Sequence, residues 1–189
     1  SYLVRGKQQE AIAAFHAFLK GDAFKAETDE ARRDRAELAM TATFQVGQVL
    51  QGQQRFDEAI AAWQGYLTRF PNGPQSADAQ RAIVDTKLLI AADALRREKY
   101  ADARAALSTF IAQNPLDPRV PEVLYQVGES FLAEHKPDEA IAAWDHLLSR
   151  FPGSQPAAHA QFSIASIFEV DKGDPARAIE RFRKVAVQP

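Results

Sequence analysis

"DEAIAAW" is spelled twice in this chain, at Asp57–Trp63 and again at Asp138–Trp144. The two copies stand eighty-one positions apart, and the likeness extends beyond them. Laid over each other without a gap, residues 44–83 and 125–164 share "QVG", "DEAIAAW", "RFP" and an "A-x-A-Q-x-x-I" stretch, about 18 identities in about 40 positions. A shared heptad could be a generic Ala-rich helix, but a match of this length is an internal repeat. Within it, apolar residues recur at three and four, as in Ile60, Trp63, Leu67 and Ile141, Trp144, Leu148, which is the period of a helix with one buried face. Each copy then runs into Phe-Pro, at Phe70-Pro71 and Phe151-Pro152. Proline lacks an amide donor and restricts the residue before it, so the helix ends there.

Weaker copies of the heptad give the true period. Its first alanine recurs at Ala11, Ala59, Ala103, Ala140 and Ala178, at spacings of 48, 44, 37 and 38. The unit is therefore a helix pair, and the eighty-one-residue echo is two of them. Twelve residues before the alanine stands a small residue, Gly47, Ala91 or Gly128, with Ala165 serving in the last copy if one residue is inserted near "DKGDP". Four after it stands a large apolar residue, Phe15, Trp63, Leu107, Trp144 or Phe182, and twelve after it stands Pro71, Pro115 or Pro152. The small residue and the alanine are expected where two antiparallel helices approach closely, with the aromatic beside that contact. Strand signals are scarce, with no run of alternating β-branched residues bounded by turn dipeptides. The 44-residue step is most simply two extra turns on a helix over 75–97.

This pattern resembles the tetratricopeptide repeat, over nearly the whole chain. The resemblance implies an all-α fold, a right-handed α-solenoid of antiparallel helix pairs. Over 1–189 we expect a single repeat domain: a partial repeat at 1–20, a linker at 21–30, and repeats at about 31–72, 73–117, 118–153 and 154–189. The spacings exceed the family's usual length of roughly 34 residues, so turns or helices are extended. The sequence opens on Ser1-Tyr2 directly in helical pattern, and we expect it to be a piece of a longer protein.

Composition excludes several functions. With 46% apolar residues the chain can build a core, and a formal charge of −2 gives no field that would select nucleic acid. There is no cysteine, hence no disulfide, thiolate ligand or cysteine nucleophile. No apolar run reaches the roughly 20 residues of a membrane span, so direct membrane insertion is not expected. Phosphate-binding loops, the G-x-S-x-G elbow and the H-E-x-x-H helix are missing, and His16, His135, His146 and His159 are scattered. Asp57-Glu58 and Asp138-Glu139 fit the first turns of helices, where acids complement the macrodipole, better than acid–base catalysis. We expect no enzyme activity, no cofactor and no metal.

In the family that the sequence resembles, first helices line a concave groove. Residues three before and one and four after the small residue would face it: Phe44, Gln48, Gln51; Leu88, Ala92, Leu95; Tyr125, Glu129, Leu132; and Phe162, Ser166, Glu169, with Arg96 as a flanking charge. The competing assignment makes Phe44, Tyr125 and Phe162 core. The carboxylate clamp that the family uses for chaperone tails is not matched, since its Lys and Asn positions hold Phe44 and Gln48 in one repeat and Tyr125 and Glu129 in another. The expected role is a protein- or peptide-binding scaffold, its partner a separate protein or another part of the same polypeptide.

The "RFP-x-x-x-x-x-A-x-A-Q" turns resemble those of bacterial cell-envelope tetratricopeptide proteins, and the resemblance implies the periplasm or cell surface in preference to the cytoplasm. The stretch from Arg81 to Glu129 is also similar to helical segments of large exported bacterial proteins of the α-macroglobulin type. A cell-envelope assembly factor and a recognition module fused to an enzyme complete the expectations.

Overall fold

The computed structural model describes Glu10, Ala13 and residues 28–186. Among these residues the chain is helical and no strand occurs. The elements are α1 (Asp29–Gly52), α2 (Phe56–Arg69), α3 (Ser76–Arg96), α4 (Tyr100–Gln113), α5 (Val120–Ala133), α6 (Pro137–Arg150), α7 (Gln155–Val170) and α8 (Pro175–Ala186). The partial repeat expected over 1–20, with Phe15 and His16, and most of the linker expected over 21–30 lie outside the described residues. α1 already begins at Asp29. α3 is 21 residues long against 14 for α5, a difference of two helical turns. The chain divides into two compact units, the first ending at Leu89 and the second beginning at Ile90.

Each helix pair is joined by the same short turn. Gln54, Glu98 and His135 adopt the left-handed conformation, with φ of 60°, 57° and 58°. The following amides of Arg55, Lys99 and Lys136 donate to Leu50, Ala94 and Phe131 carbonyls at 3.0, 2.9 and 2.9 Å. Gln54, Glu98 and His135 amides donate to Gln51, Leu95 and Leu132, each at 2.9 Å. This is the Schellman arrangement, which satisfies carbonyls that a helix end leaves open. The fourth turn supplies glycine for the same conformation, Gly173 at φ 58°, and is one residue longer, closing through the Asp174 amide on Phe168 O at 2.8 Å.

In the first unit α1 packs on α2. Val46, Leu50, Ala59, Trp63, Tyr66, Ala79 and Ile83 form its core, with Met40, Phe44 and Phe70 against the flank. In the second unit α5 packs on α6, α7 on α8, and α5 also touches α7. Leu107, Phe110, Val120, Trp144, Leu147 and Ile164 are fully buried there.

The repeated tryptophans explain the repeated glycines. Trp63 and Trp144 are 1% and 0% exposed. Each indole lies where the glycine sixteen residues earlier lacks a side chain, so that a Cβ at Gly47 or Gly128 would run into the Trp63 or Trp144 ring. The small residue thus makes room for the indole itself. The vacated space also lets each indole N–H reach a backbone carbonyl: Trp63 donates to Phe44 O at 3.1 Å and Trp144 to Tyr125 O at 3.0 Å. At the same spacing Ala91 and Leu107 replace the Gly–Trp pair, both buried.

Between pairs, the Phe-Pro turns end the second helices. The Phe70 and Phe151 amides close on Tyr66 and Leu147 carbonyls at 2.7 and 2.9 Å, and Arg69 and Arg150 lie over the Phe70 and Phe151 rings at 5.3 and 5.2 Å. Asp57, Glu58, Asp138 and Glu139 do occupy the first turns of α2 and α6. Neither helix has a side-chain capping hydrogen bond; Glu58 instead pairs with Arg55 at 2.6 Å, and Asp138 with Lys172 at 2.5 Å.

Candidate functional site

The residues expected to line a groove fall into two groups, one in each unit. In the first, Phe44 is half-buried against the core, with its ring centroid 6.3 Å from Trp63 and 6.1 Å from Tyr66. The Gln51 amide donates to Thr86 Oγ1 at 2.9 Å, so this position ties α1 to α3, while Gln48 is exposed and Leu88 half-buried. Here the core assignment holds for Phe44.

In the second unit the three nominated residues of α5 come together at a depression of about 450 Å³. Tyr125, Glu129 and Leu132 line it with Ala133, Trp144 and Ser163. The helical period puts Tyr125, Glu129 and Leu132 on one stripe of α5, since they are separated by four and three residues. The Tyr125 ring stacks on Trp144 at 5.7 Å and 22°, and its hydroxyl lies 3.3 Å from Ser163 Oγ across on α7. His159, one turn before Ser163, meets the Tyr125 ring edge-on at 6.0 Å. Tyr125 is therefore neither plain core nor free surface: one face covers Trp144 and the hydroxyl reaches the depression.

The electrostatics are acidic. Burial raises the Glu129 carboxyl above its ordinary value and the nearby Glu122 raises it further, while the Tyr125 hydroxyl and His159 pull the other way. Burial likewise raises the Tyr125 hydroxyl, against the lowering effect of its bond to Ser163, and Glu129 and Glu122 add to the rise. The C-terminal end of α5, which supplies Leu132 and Ala133, is clamped to α4: Arg104 pairs with Glu134 at 2.6 Å, lies 4.1 Å over the Phe131 ring and donates to Ser130 Oγ at 3.3 Å.

The remaining nominated residues differ in environment. Phe162 is 57% exposed, with its ring 5.4 Å from Phe182. Ser166 and Leu95 are half-buried, and Ala92 and Glu169 exposed. Arg96, nominated as a flanking charge, is paired with Asp93 on its own helix.

Ser163 and His159 were not nominated, because their part depends on how α7 meets α5, which no spacing within one repeat encodes. A second cleft of about 290 Å³, lined by Ser108, Ile111, Ala112, Leu124, Val127, Ala143 and His146, was likewise not foreseen. It involves the other side of α5 together with α4 and α6.

Among the described residues no three His, Asp or Glu side chains are grouped so as to hold a metal, and no helix is long and apolar enough to cross a membrane.

Residues 36–170 match the family model YfiO, described as outer membrane lipoprotein. The chain belongs to the YfiO family. The match runs from within α1 to the end of α7 and so takes in the Tyr125 depression. No curated protein matches the chain. Among solved structures it is similar to a crystal structure of MamA, with 20% identity, 98% of this chain and 90% of that one covered, and a TM-score of 0.47. It is also similar to MamA 41-end from Desulfovibrio magneticus RS-1, at 18% identity, 97% and 86% coverage and a TM-score of 0.42. The YfiO family membership and the helix pairs together identify a tetratricopeptide-like repeat protein.

Proposed function

We propose that this chain is a protein- or peptide-binding scaffold of the bacterial cell envelope, and that its binding surface in the second unit is the first-helix face bearing Tyr125, Glu129 and Leu132, continued by Phe162, Ser166 and Glu169. The observation that carries this reading is the depression of about 450 Å³ at Tyr125, where an aromatic ring, an acid and an exposed leucine converge. Such convergence of apolar and polar groups in one concavity is what a bound side chain needs. Repeat proteins recognise partners through rigid faces of this kind, and peptides dock into them by a few anchors. The description of the family as outer membrane lipoprotein supports an extracytoplasmic site of action and favours an envelope scaffold over a segment of an α-macroglobulin-like protein or a module fused to an enzyme.

A photoreactive phenylalanine analogue placed at Leu132 or Phe162 in the producing cell tests the proposal. Both positions should give discrete adducts with a protein, whereas Asp102, exposed on α4, should not. Adducts within the same polypeptide would assign an intramolecular partner. Adducts from Asp102 and none from Leu132 or Phe162 would refute the assigned face.

A further inference from the structure

Resting on that reading of the Tyr125 face, we infer that the depression is a subsite for one basic side chain, lysine or arginine, carried by an extended segment of a protein partner. The nominated face carries three charged residues in the second unit. Arg96 pairs with Asp93, which Arg97 shares, while Glu129 and Glu169 have no ion-pair partner among the described residues. Away from this face some carboxylates are paired, Asp117 with Arg119, Glu134 with Arg104, Asp138 with Lys172 and Asp145 with Arg181. Others, such as Asp102 and Glu139, stand alone among the described residues on open surface; Glu129 differs from these in lining a depression.

Three classes of guest can be compared. An apolar side chain would fill the floor of Leu132 and Ala133 but withdraw water from Glu129 with no cation to replace it, and an unpaired buried charge is costly. An acidic side chain would meet Glu129 with Glu122 nearby, and like charges repel. A lysine or arginine satisfies both halves of the site. Its methylenes can lie along Leu132 beside Tyr125 while the charged head reaches the Glu129 carboxylate. Glu129 is exposed on α5 beside Tyr125 and Leu132, so its carboxylate is open to the head of an incoming cation.

Selection from a random dodecapeptide display library distinguishes the outcomes, with the whole chain as bait in three forms: the parent, Glu129→Gln and Tyr125→Ala, each checked by its melting curve. The parent should enrich peptides with a lysine or arginine at one recurring position. Those peptides, resynthesised, should bind Glu129→Gln at least about tenfold more weakly. Peptides that bind the parent and not Tyr125→Ala, but carry no common basic residue and lose nothing in Glu129→Gln, would overturn the basic-side-chain assignment and leave the face standing. Peptides that bind all three baits equally would overturn the face and the subsite together.

Discussion

At the scale of single residues, the Gly–Trp pairs carry the plainest consequence. Gly128 sits inside α5, where alanine would raise helix propensity by about 1 kcal/mol, yet its Cβ would collide with the Trp144 indole. Gly128→Ala is expected to cost about 1–3 kcal/mol net, and Trp144→Leu about 2–4 kcal/mol. The double variant recreates the Ala–Leu combination that the chain itself uses at Ala91 and Leu107. Its loss should fall short of the sum by about 1–2 kcal/mol in urea unfolding. Strict additivity would mean that the glycine does not serve the indole. Glu129 offers a test of the opposite sign. Its carboxyl is raised in the fold, so the stability it contributes is fully present below the unfolded carboxylate value and is lost as pH rises through the folded one. Glu129→Gln should therefore match the parent in acid and be at least as stable near neutrality, as melts across pH 4–8 would show. Lower stability of the variant at pH 7 would mean that the ionised carboxylate is held by contacts of its own.

At the scale of elements, the turns between paired helices place non-glycine residues in a conformation that disfavours a Cβ by about 1–2 kcal/mol. Glu98 and His135 are exposed, so glycine there forfeits no packing. Against the added chain entropy of glycine in the unfolded state, Glu98→Gly or His135→Gly should stabilise by about 0.5–1 kcal/mol. A loss of stability would show that the side chain holds the turn. The clamp between α4 and α5 sets a different dependence. Hydrogen bonding to Arg104, and then to Lys136, lowers the Glu134 carboxyl, so its contribution is present above the ordinary carboxylate value and is lost as pH falls through the depressed one. Arg104→Gln should shrink that acid-side decline relative to the parent, while leaving pH dependence near neutrality unchanged. An identical acid limb in both proteins would remove Glu134 from the account.

At the scale of the whole molecule, the division of labour between helices follows from the repeat. Second helices bury Trp63, Leu107 and Trp144 among their own pairs and neighbours, while first helices carry the residues that differ from copy to copy, Phe44, Leu88, Tyr125 and Phe162. The all-helical class, the helix pairs, the additional turns of α3 and the burial of both tryptophans were legible in the sequence. Each is fixed by local rules: apolar period, proline stops and a small residue at constant spacing. The left-handed turn residues were legible in principle, because Gln54, Glu98, His135 and Gly173 all stand five before the repeated alanine, but only Gly173 advertises its conformation by its type. What the tertiary structure decided was the use of each nominated position. Phe44 and Tyr125 occupy one register, yet Phe44 leans on Trp63 and Tyr66 at the core, while Tyr125 covers Trp144 and turns its hydroxyl to Ser163. The partners responsible come from other helices, so a rule that reads one helix at a time places the residue on a face without saying what that face meets. The acids that act on Tyr125, Glu122 and Glu129, both stand on α5 and are visible in the sequence, whereas His159 and Ser163, which act against them, come from α7 and reach Tyr125 only when those helices pack.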